Sequence, residues 1–554
     1  MLKVKENIDK HSDFIESVCI FIVSGMIGVI IFLLTYDVQV LDVTNDSWLM
    51  QGGDITQHYL GWRFYRSSPW QLQFGLIEGI LYPFKLSIIF TDSIPIFAVL
   101  FKILSPILPE TFQYFGIWGV FSFFMTGGIA SVVIKKFTKN KYICIIGSVF
   151  FSFSPFIFQR MYSHTALAGH WIILLAIAIW VYRSYFNSLK RQLLAWMFLL
   201  CIGELVHIYY VPMIIIIMGG FYLHEFLETK KIKNALIVGI SSVVSALLIL
   251  FLFGAFGAGG GLSAGGLGHY SANLNALWNP IRSGFSRIMP ALAARDGQGE
   301  GFGYLGFGMI CMVTISLIVW IGMKIKQKRW LNQESISLTI SLTAVFAIFA
   351  ILAVSPTITF NDKILFVIPY PQIIYSALSI FRASGRFIWP IGYLIMFCVI
   401  RYLCKLKRDT IKIAILSFFI ILQIYDISTI AMHCSSWIKN AETFNSLLIS
   451  DKWGALTKEY KHIVFIPYEN IKENLPLLYS FAYYASENNM TINYFYTARV
   501  NEAAVLEQIG NYLYEIENDS VGDDIIFVFL DKSAVNTKLN IMELDGITIG
   551  VKSY

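Results

Sequence analysis

The sequence predicts a polytopic α-helical membrane protein of about eleven spans with a C-terminal extracytoplasmic α/β domain. Three observations carry that prediction. The chain has 554 residues, 56% of them hydrophobic and only 14% charged, whereas a soluble protein carries roughly 25% charged residues. Apolar runs of about 20 residues, the length that crosses a bilayer, recur up to position 430. After that, short alternating segments take over and acidic residues outnumber basic ones.

The first run, 16–36, follows a stretch carrying Lys3, Lys5 and Lys10. It is longer than a signal-peptide core, and no small-residue cleavage pattern follows it. It is read as a retained helix with its N-terminus inside. The other candidate spans are 112–134, 142–159, 171–188, 190–206, 208–227, 234–256, 304–324, 334–354, 386–404 and 410–429. With eleven spans, the clusters around Lys135–Lys141, Arg183–Arg191, Lys230–Lys233, Lys324–Arg329 and Arg401–Arg408 all fall on the cytoplasmic side, as basic loops do. Segment 86–108 is apolar enough to span but holds Pro95 and Pro106. Counting it would invert every later loop, so it is read as a re-entrant or surface-lying helix pair. The seven cysteines have no paired or metal-ligand spacing, so neither a disulfide framework nor a zinc site is implied.

That parity places four polar stretches outside: 37–85, 159–171, the Gly-rich loop 257–303, and 355–385. The chemistry is therefore expected there. Residues 1–430 form the transmembrane domain. Residues 431–554 read as strand 462–467, helix 475–487, strand 491–496, helix 502–517, strand 525–530 and a final strand or hairpin at 541–551. This second domain has no phosphate-binding glycine loop or nucleophile elbow. It is expected to support or recognise rather than to catalyse.

Outward chemistry without a nucleotide-binding domain favours an activated donor drawn from the membrane. Sugar transfer from a polyprenyl phosphate needs a carboxylate base at the acceptor hydroxyl, cations for the leaving phosphate and an apolar groove for the lipid. Asp54 is the candidate base; the alternative is a carboxylate that caps the following turn. If 53–66 is helical, His58 stands one turn away on the same face. Arg382 and Arg386, at the mouth of an apolar span, are candidate phosphate ligands, against a role as snorkelling interface residues. Arg63, Arg66 and Lys85 are further candidates. His164 and His170 flank a short outer turn beside Arg160 and read as a site wall. Glu204 and His207 are either a structural pair or a substrate contact. Asp296 and Glu300 are the acids a divalent cation could take, or they order the Gly-rich loop. Nothing points to nucleic acid.

Four stretches also carry a resemblance: Gly53-Asp54-Ile55-Thr56-Gln57-His58, Thr91-Asp92-Ser93-Ile94-Pro95, Ser163-His164-Thr165-Ala166 and Arg382-Ala383-Ser384-Gly385-Arg386-Phe387. With the placement of the acid and the outer loops, the chain resembles the GT-C-type membrane glycosyltransferases, in a bacterial branch. The resemblance implies a catalytic acid at Asp54 and a polyprenyl-phosphate sugar donor. It also implies an envelope glycan, lipid or protein acceptor, and residence in the bacterial cell membrane. Many relatives place a second acid where His164 and His170 stand, which leaves a divalent cation as an open expectation. A flippase or transporter of a lipid-linked glycan is the competing reading, but it would more naturally show inverted repeats and midplane charges. A non-catalytic envelope-assembly protein is the third.

Overall fold

The structure is a computed structural model that describes residues 2–257, 259–260, 265–327, 336–497, 499–536 and 538–552. Lys328, Arg329 and glycine-rich positions 258 and 261–264 lie outside the described residues. Contacts divide the chain into two units: 1–42, 115–246 and 265–440 in the first, 43–114, 247–264 and 441–554 in the second.

In chain order the helices are α1 (Leu2–Tyr36), α2 (Gly53–Ser67), α3 (Pro95–Ile103), α4 (Phe115–Lys135), α5 (Lys141–Ser152), α6 (Pro155–Ser163), α7 (Trp171–Val181) and α8 (Leu189–Val206). Then come α9 (Tyr210–Thr229), α10 (Lys233–Leu252), α11 (Phe307–Gln327), α12 (Ile336–Val354), α13 (Gln372–Ser379), α14 (Ile388–Leu403) and α15 (Asp409–Lys439). The tail adds α16 (Lys452–Glu459), α17 (Tyr468–Glu473), α18 (Leu475–Glu487) and α19 (Glu502–Glu517).

The first unit is built from long apolar helices. Helices α1 and α4 pack closely because glycines face each other's backbone. A Cβ on Gly28 would lie 2.2 Å from the Phe123 carbonyl oxygen, and one on Gly127 would lie 2.4 Å from that of Ser24. Small residues allow this approach where no hydrophobic effect drives helices together. Helix α5 begins at Asn140, whose side chain accepts from the Tyr142 amide at 3.0 Å. Pro155 opens α6 and has no amide hydrogen to continue α5, so the pair bends by 47°. Along α10, Leu236, Ile240, Val243 and Val244 are exposed apolar side chains, as a lipid-facing helix requires.

The expected count of eleven spans is corrected. Seven helices among the described residues are long and apolar enough to cross a membrane, or up to eight with the bent α5–α6 pair as one span. All eleven predicted runs contain helix, but two fall short. Helix α7 has 11 residues, about 17 Å of length, against a hydrocarbon core of about 30 Å. Helix α8 carries Lys190, Arg191 and Glu204, while α11 runs 21 residues, of which Phe307–Met323 is the apolar part among the described residues. Periodic apolarity marks a helix but does not fix its reach.

The second unit joins the first polar loop to the tail. The longest helix in 86–108 is α3, nine residues or about 14 Å, so this segment makes no spanning helix. Five tail strands, β5 (His462–Ile466), β6 (Thr491–Ile492), β7 (Ile525–Phe529), β8 (Leu539–Leu544) and β9 (Ile547–Lys552), form one sheet in the order β6-β5-β7-β9-β8. Four shorter strands precede them: β1 (Leu76–Ile77) with β2 (Leu86–Ser87), and β3 (Thr357–Phe360) with β4 (Lys363–Val367) in the first unit. Strands β6, β5 and β7 run parallel, joined through α17–α18 and α19; β9 and β8 close the sheet as an antiparallel hairpin. Strand β7 is buried along its whole length, as its apolar run requires between covered faces. The first loop docks on this sheet through its backbone. Tyr82 N donates to Ile492 O at 2.9 Å, Ile492 N to Gly79 O at 2.9 Å, and the Tyr82 ring stacks on His462 at 3.8 Å.

Candidate functional site

In the first unit the centre is a buried group of charges drawn from three separate segments. Arg160 lies near the end of α6, Glu300 in a single turn of 3-10 helix at Gln298–Gly301, and Arg386 just before α14. The Arg160 guanidinium forks onto both Glu300 carboxylate oxygens at 3.2 and 3.1 Å and also donates to the Gly299 carbonyl at 2.9 Å. Arg386 Nε donates to the same carboxylate at 2.7 Å. The arginine side chains are only 2% and 8% exposed, and Glu300 is 23% exposed. Two guanidinium groups thus share one carboxylate.

Burial pushes the Glu300 carboxyl up, but Arg160 and Arg386, with His164 behind them, outweigh it and hold it well below the usual carboxylate range. Aromatic faces complete the shell. Arg160 lies 5.2 Å over the Trp389 ring and Arg386 4.4 Å over Tyr209. The Tyr209 hydroxyl accepts from the Ala383 amide at 2.8 Å, fixing the turn that delivers Arg386.

Around this core stand the histidines singled out from sequence. The His164 and His207 rings lie 6.0 Å apart. His170 is fully buried; its Nδ1 is 2.8 Å from the Tyr393 hydroxyl and its ring 4.7 Å from Trp389. Glu204 is buried, and its Oε2 makes no hydrogen bond among the described residues, so the suggested Glu204–His207 pair does not form. His207 Nδ1 accepts from the Tyr209 amide at 3.2 Å instead. Arg382, four residues before Arg386, has different surroundings: it lies 5.1 Å over Tyr270 and reaches the Gly265 carbonyl at 3.4 Å. Asp296 is exposed, while Glu300 is held by the two arginines.

In the second unit, 53–67 is helical, so Asp54 and His58 do share a face of α2. Gly52 and Gly53 enter the helix at φ 94° and 71°, angles open to glycine at little cost. Asp54 sits half-buried in the first turn, where the helix dipole favours a carboxylate. The Tyr479 hydroxyl donates to the Gly53 carbonyl at 3.0 Å, tying this turn to α18. His58 is fully buried, and its ligand atoms lie within 4.8 Å of those of Asp92, a residue held at φ 54°. An imidazole and a carboxylate at that spacing suit a divalent cation.

The other predicted cations of this unit are engaged in building it. Arg63 bonds Ser486 at 2.9 Å and lies 4.7 Å over Tyr483. Arg66 donates to the Pro109 and Glu110 carbonyls, both at 2.8 Å. Lys85 bonds Glu78 at 2.6 Å and Gln71 at 2.7 Å.

A family model described as a domain of unknown function, DUF6311, matches residues 25–428, and the DUF6311 C-terminal domain matches 452–552. The chain belongs to the DUF6311 family. A comparison with curated proteins finds no match. Among solved structures, this DUF6311 chain is loosely similar to the oligosaccharyltransferase of Archaeoglobus fulgidus. The form with zinc and sulfate is 10% identical at a TM-score of 0.38, covering 92% of this chain and 67% of that one. The form with an inhibitory peptide and a dolichol-phosphate gives 10% and 0.37, covering 93% and 69%. The apo form gives 11% and 0.35, covering 86% and 64%.

Of the residues chosen from sequence, the first unit brings His164, Glu300 and Arg386 together around Arg160, with His207 beside His164. The second unit brings Asp54 and His58 onto one helix. Sequence reasoning missed Asp92, Tyr209, Trp389 and Tyr393. Asp92 stood in a stretch already quoted for its resemblance, and Trp389 and Tyr393 follow Arg386 within two turns of helix, so proximity to a singled-out residue was the available signal.

Proposed function

We propose that this DUF6311 protein is a membrane glycosyltransferase. It moves a sugar from a polyprenyl-phosphate donor to a hydroxyl on an envelope glycan, lipid or protein, on the extracytoplasmic side of a bacterial cell membrane. The observation that carries the reading is the buried Arg160–Glu300–Arg386 group at the head of an apolar helix. Guanidinium forks bind phosphate oxygens in pairs, and buried cations beside the reacting atoms stabilise a departing phosphate. On the acceptor side, Asp54 takes the proton of the incoming hydroxyl. The acceptor oxygen bonds the anomeric carbon, the bond from that carbon to the phosphate oxygen breaks, and the polyprenyl phosphate leaves with the electron pair. His58 and Asp92 are the residues that would hold a divalent cation, which would supply positive charge beside the reacting groups.

The test uses the purified full-length protein in proteoliposomes with radiolabelled polyprenyl-phosphate sugars and an envelope extract as acceptor. The wild type consumes one such donor and labels the acceptor. Asp54→Asn, with unchanged elution and melting, transfers about 10²–10⁴-fold more slowly. A variant as active as the wild type would remove Asp54 as the base. Accumulation of the lipid-linked sugar on the far side of the vesicle without any acceptor would identify a transporter.

A further inference from the structure

Helix α14 carries Arg386 ahead of its first turn and Arg401 in its last. Its 16 residues separate these ends by about 24 Å. At the Arg401 end, the first unit holds an open cleft of about 540 Å³. Its rim bears Lys136, Arg183, Arg401 and Lys405, and its walls include Trp180, Leu338, Leu342 and Phe397. Among the described residues the rim has one carboxylate, Glu228, which is already taken: Arg183 forks onto it at 2.7 and 2.8 Å, and His224 Nε2 lies 3.2 Å away.

Lys136, Arg401 and Lys405 are exposed, and none ion-pairs with a carboxylate among the described residues. They rest on aromatic faces instead: Lys136 at 5.4 Å from the Tyr182 ring, Arg401 at 5.9 Å from Phe137, Lys405 at 5.9 Å from Tyr402. A cleft with cations at its lip and an apolar wall between membrane helices matches a ligand that is anionic at one end and hydrocarbon at the other. A free phosphate would leave the apolar wall empty, and an apolar molecule would leave the cations unmatched. Basic pockets between membrane helices take lipid phosphates on this physical ground.

We propose that this end of the first unit binds an anionic phospholipid from the bilayer, its phosphate on Lys136, Arg401 and Lys405 and one acyl chain along Trp180, Leu342 and Phe397. This site lies at the opposite end of α14 from Arg386 and does not depend on the sugar-transfer reading.

The test is native mass spectrometry of the full-length protein in detergent with added phosphatidylglycerol, phosphatidylcholine, polyprenyl phosphate or inorganic phosphate. The expected result is retention of phosphatidylglycerol, with no retention of phosphatidylcholine and no displacement by inorganic phosphate. Each basic side chain facing an anionic lipid contributes about a factor of five, so the K136A/R401A/K405A triple variant should bind about a hundredfold more weakly. Leu342→Trp, which fills the wall and keeps every cation, should lose retention too, and it stands in if the triple variant does not fold. Wild-type retention by either folded variant, equal retention of phosphatidylcholine, or preference for polyprenyl phosphate would overturn the assignment.

Discussion

The two ends of α14 present the same residue type in opposite electrostatic states. At one end Arg386 is buried, its charge met by Glu300 and shared with Arg160. At the other, Arg401 is exposed and joins Lys136 and Lys405, none of them ion-paired with a carboxylate among the described residues. A buried guanidinium without a partner costs several kcal/mol, so the chain must supply a counter-ion there. An exposed one keeps its solvent and can wait for a ligand. The difference teaches that an arginine at the end of an apolar helix carries no function by itself. The acid that meets it, 86 residues away in sequence, decides whether the charge belongs to the fold or to a visitor.

Removing that acid should give the largest effect. Glu300→Ala removes the carboxylate that two buried guanidinium groups share, and stability should fall by about 3–5 kcal/mol. Thermal unfolding of the detergent-solubilised protein measures it. Adding Arg160→Met should restore part of the loss, because it removes one of the stranded charges. No recovery in the double variant would mean that Arg160 holds its segment through the Gly299 carbonyl and Trp389 instead.

How much of this was legible in the sequence follows the range of the forces involved. Helices 475–487 and 502–517 occur at their predicted bounds, because apolar periodicity and caps act within a few residues. The α2 face shared by Asp54 and His58 was legible for the same reason. The union of 43–114 with the tail was not: its backbone bonds between Gly79, Tyr82 and Ile492 leave no mark on side-chain pattern, and its side-chain links, such as Arg63 to Ser486, join residues far apart in sequence. Glu300 was read as an acid of the Gly-rich loop, since nothing near it in sequence announces Arg160 or Arg386. The shortness of α7 escaped as well, because Tyr182, Tyr185 and Phe186 carry aromatic character past Val181, where the backbone leaves the helix.

The same carboxylate gives a smaller effect through pH. Its folded pKa is depressed, so its contribution is complete above the ordinary glutamate range and is lost as pH falls toward the folded value. The stability gap between the wild type and Glu300→Gln should be constant above about pH 5 and should narrow by about 1.4 kcal/mol per pH unit below about pH 4. Melting curves from pH 7 to pH 3 read the gap. A gap unchanged at pH 3 would mean that the amide replaces the carboxylate without electrostatic loss.

The smallest effect is expected at the other end of the helix. Among the described residues Arg401 has no partner acid to strand, and exposed substitutions away from caps and cores shift stability by about 0.5 kcal/mol or less. Arg401→Gln in lipid-free detergent should therefore melt with the wild type. Added phosphatidylglycerol should then separate the two, because a ligand that binds only the folded state raises its stability in proportion to the logarithm of its concentration over Kd. The wild type should gain and the variant should gain less. If Arg401→Gln instead destabilised the lipid-free protein as Glu300→Ala does, Arg401 would be a structural charge like Arg386, and the contrast between the two ends of α14 would disappear.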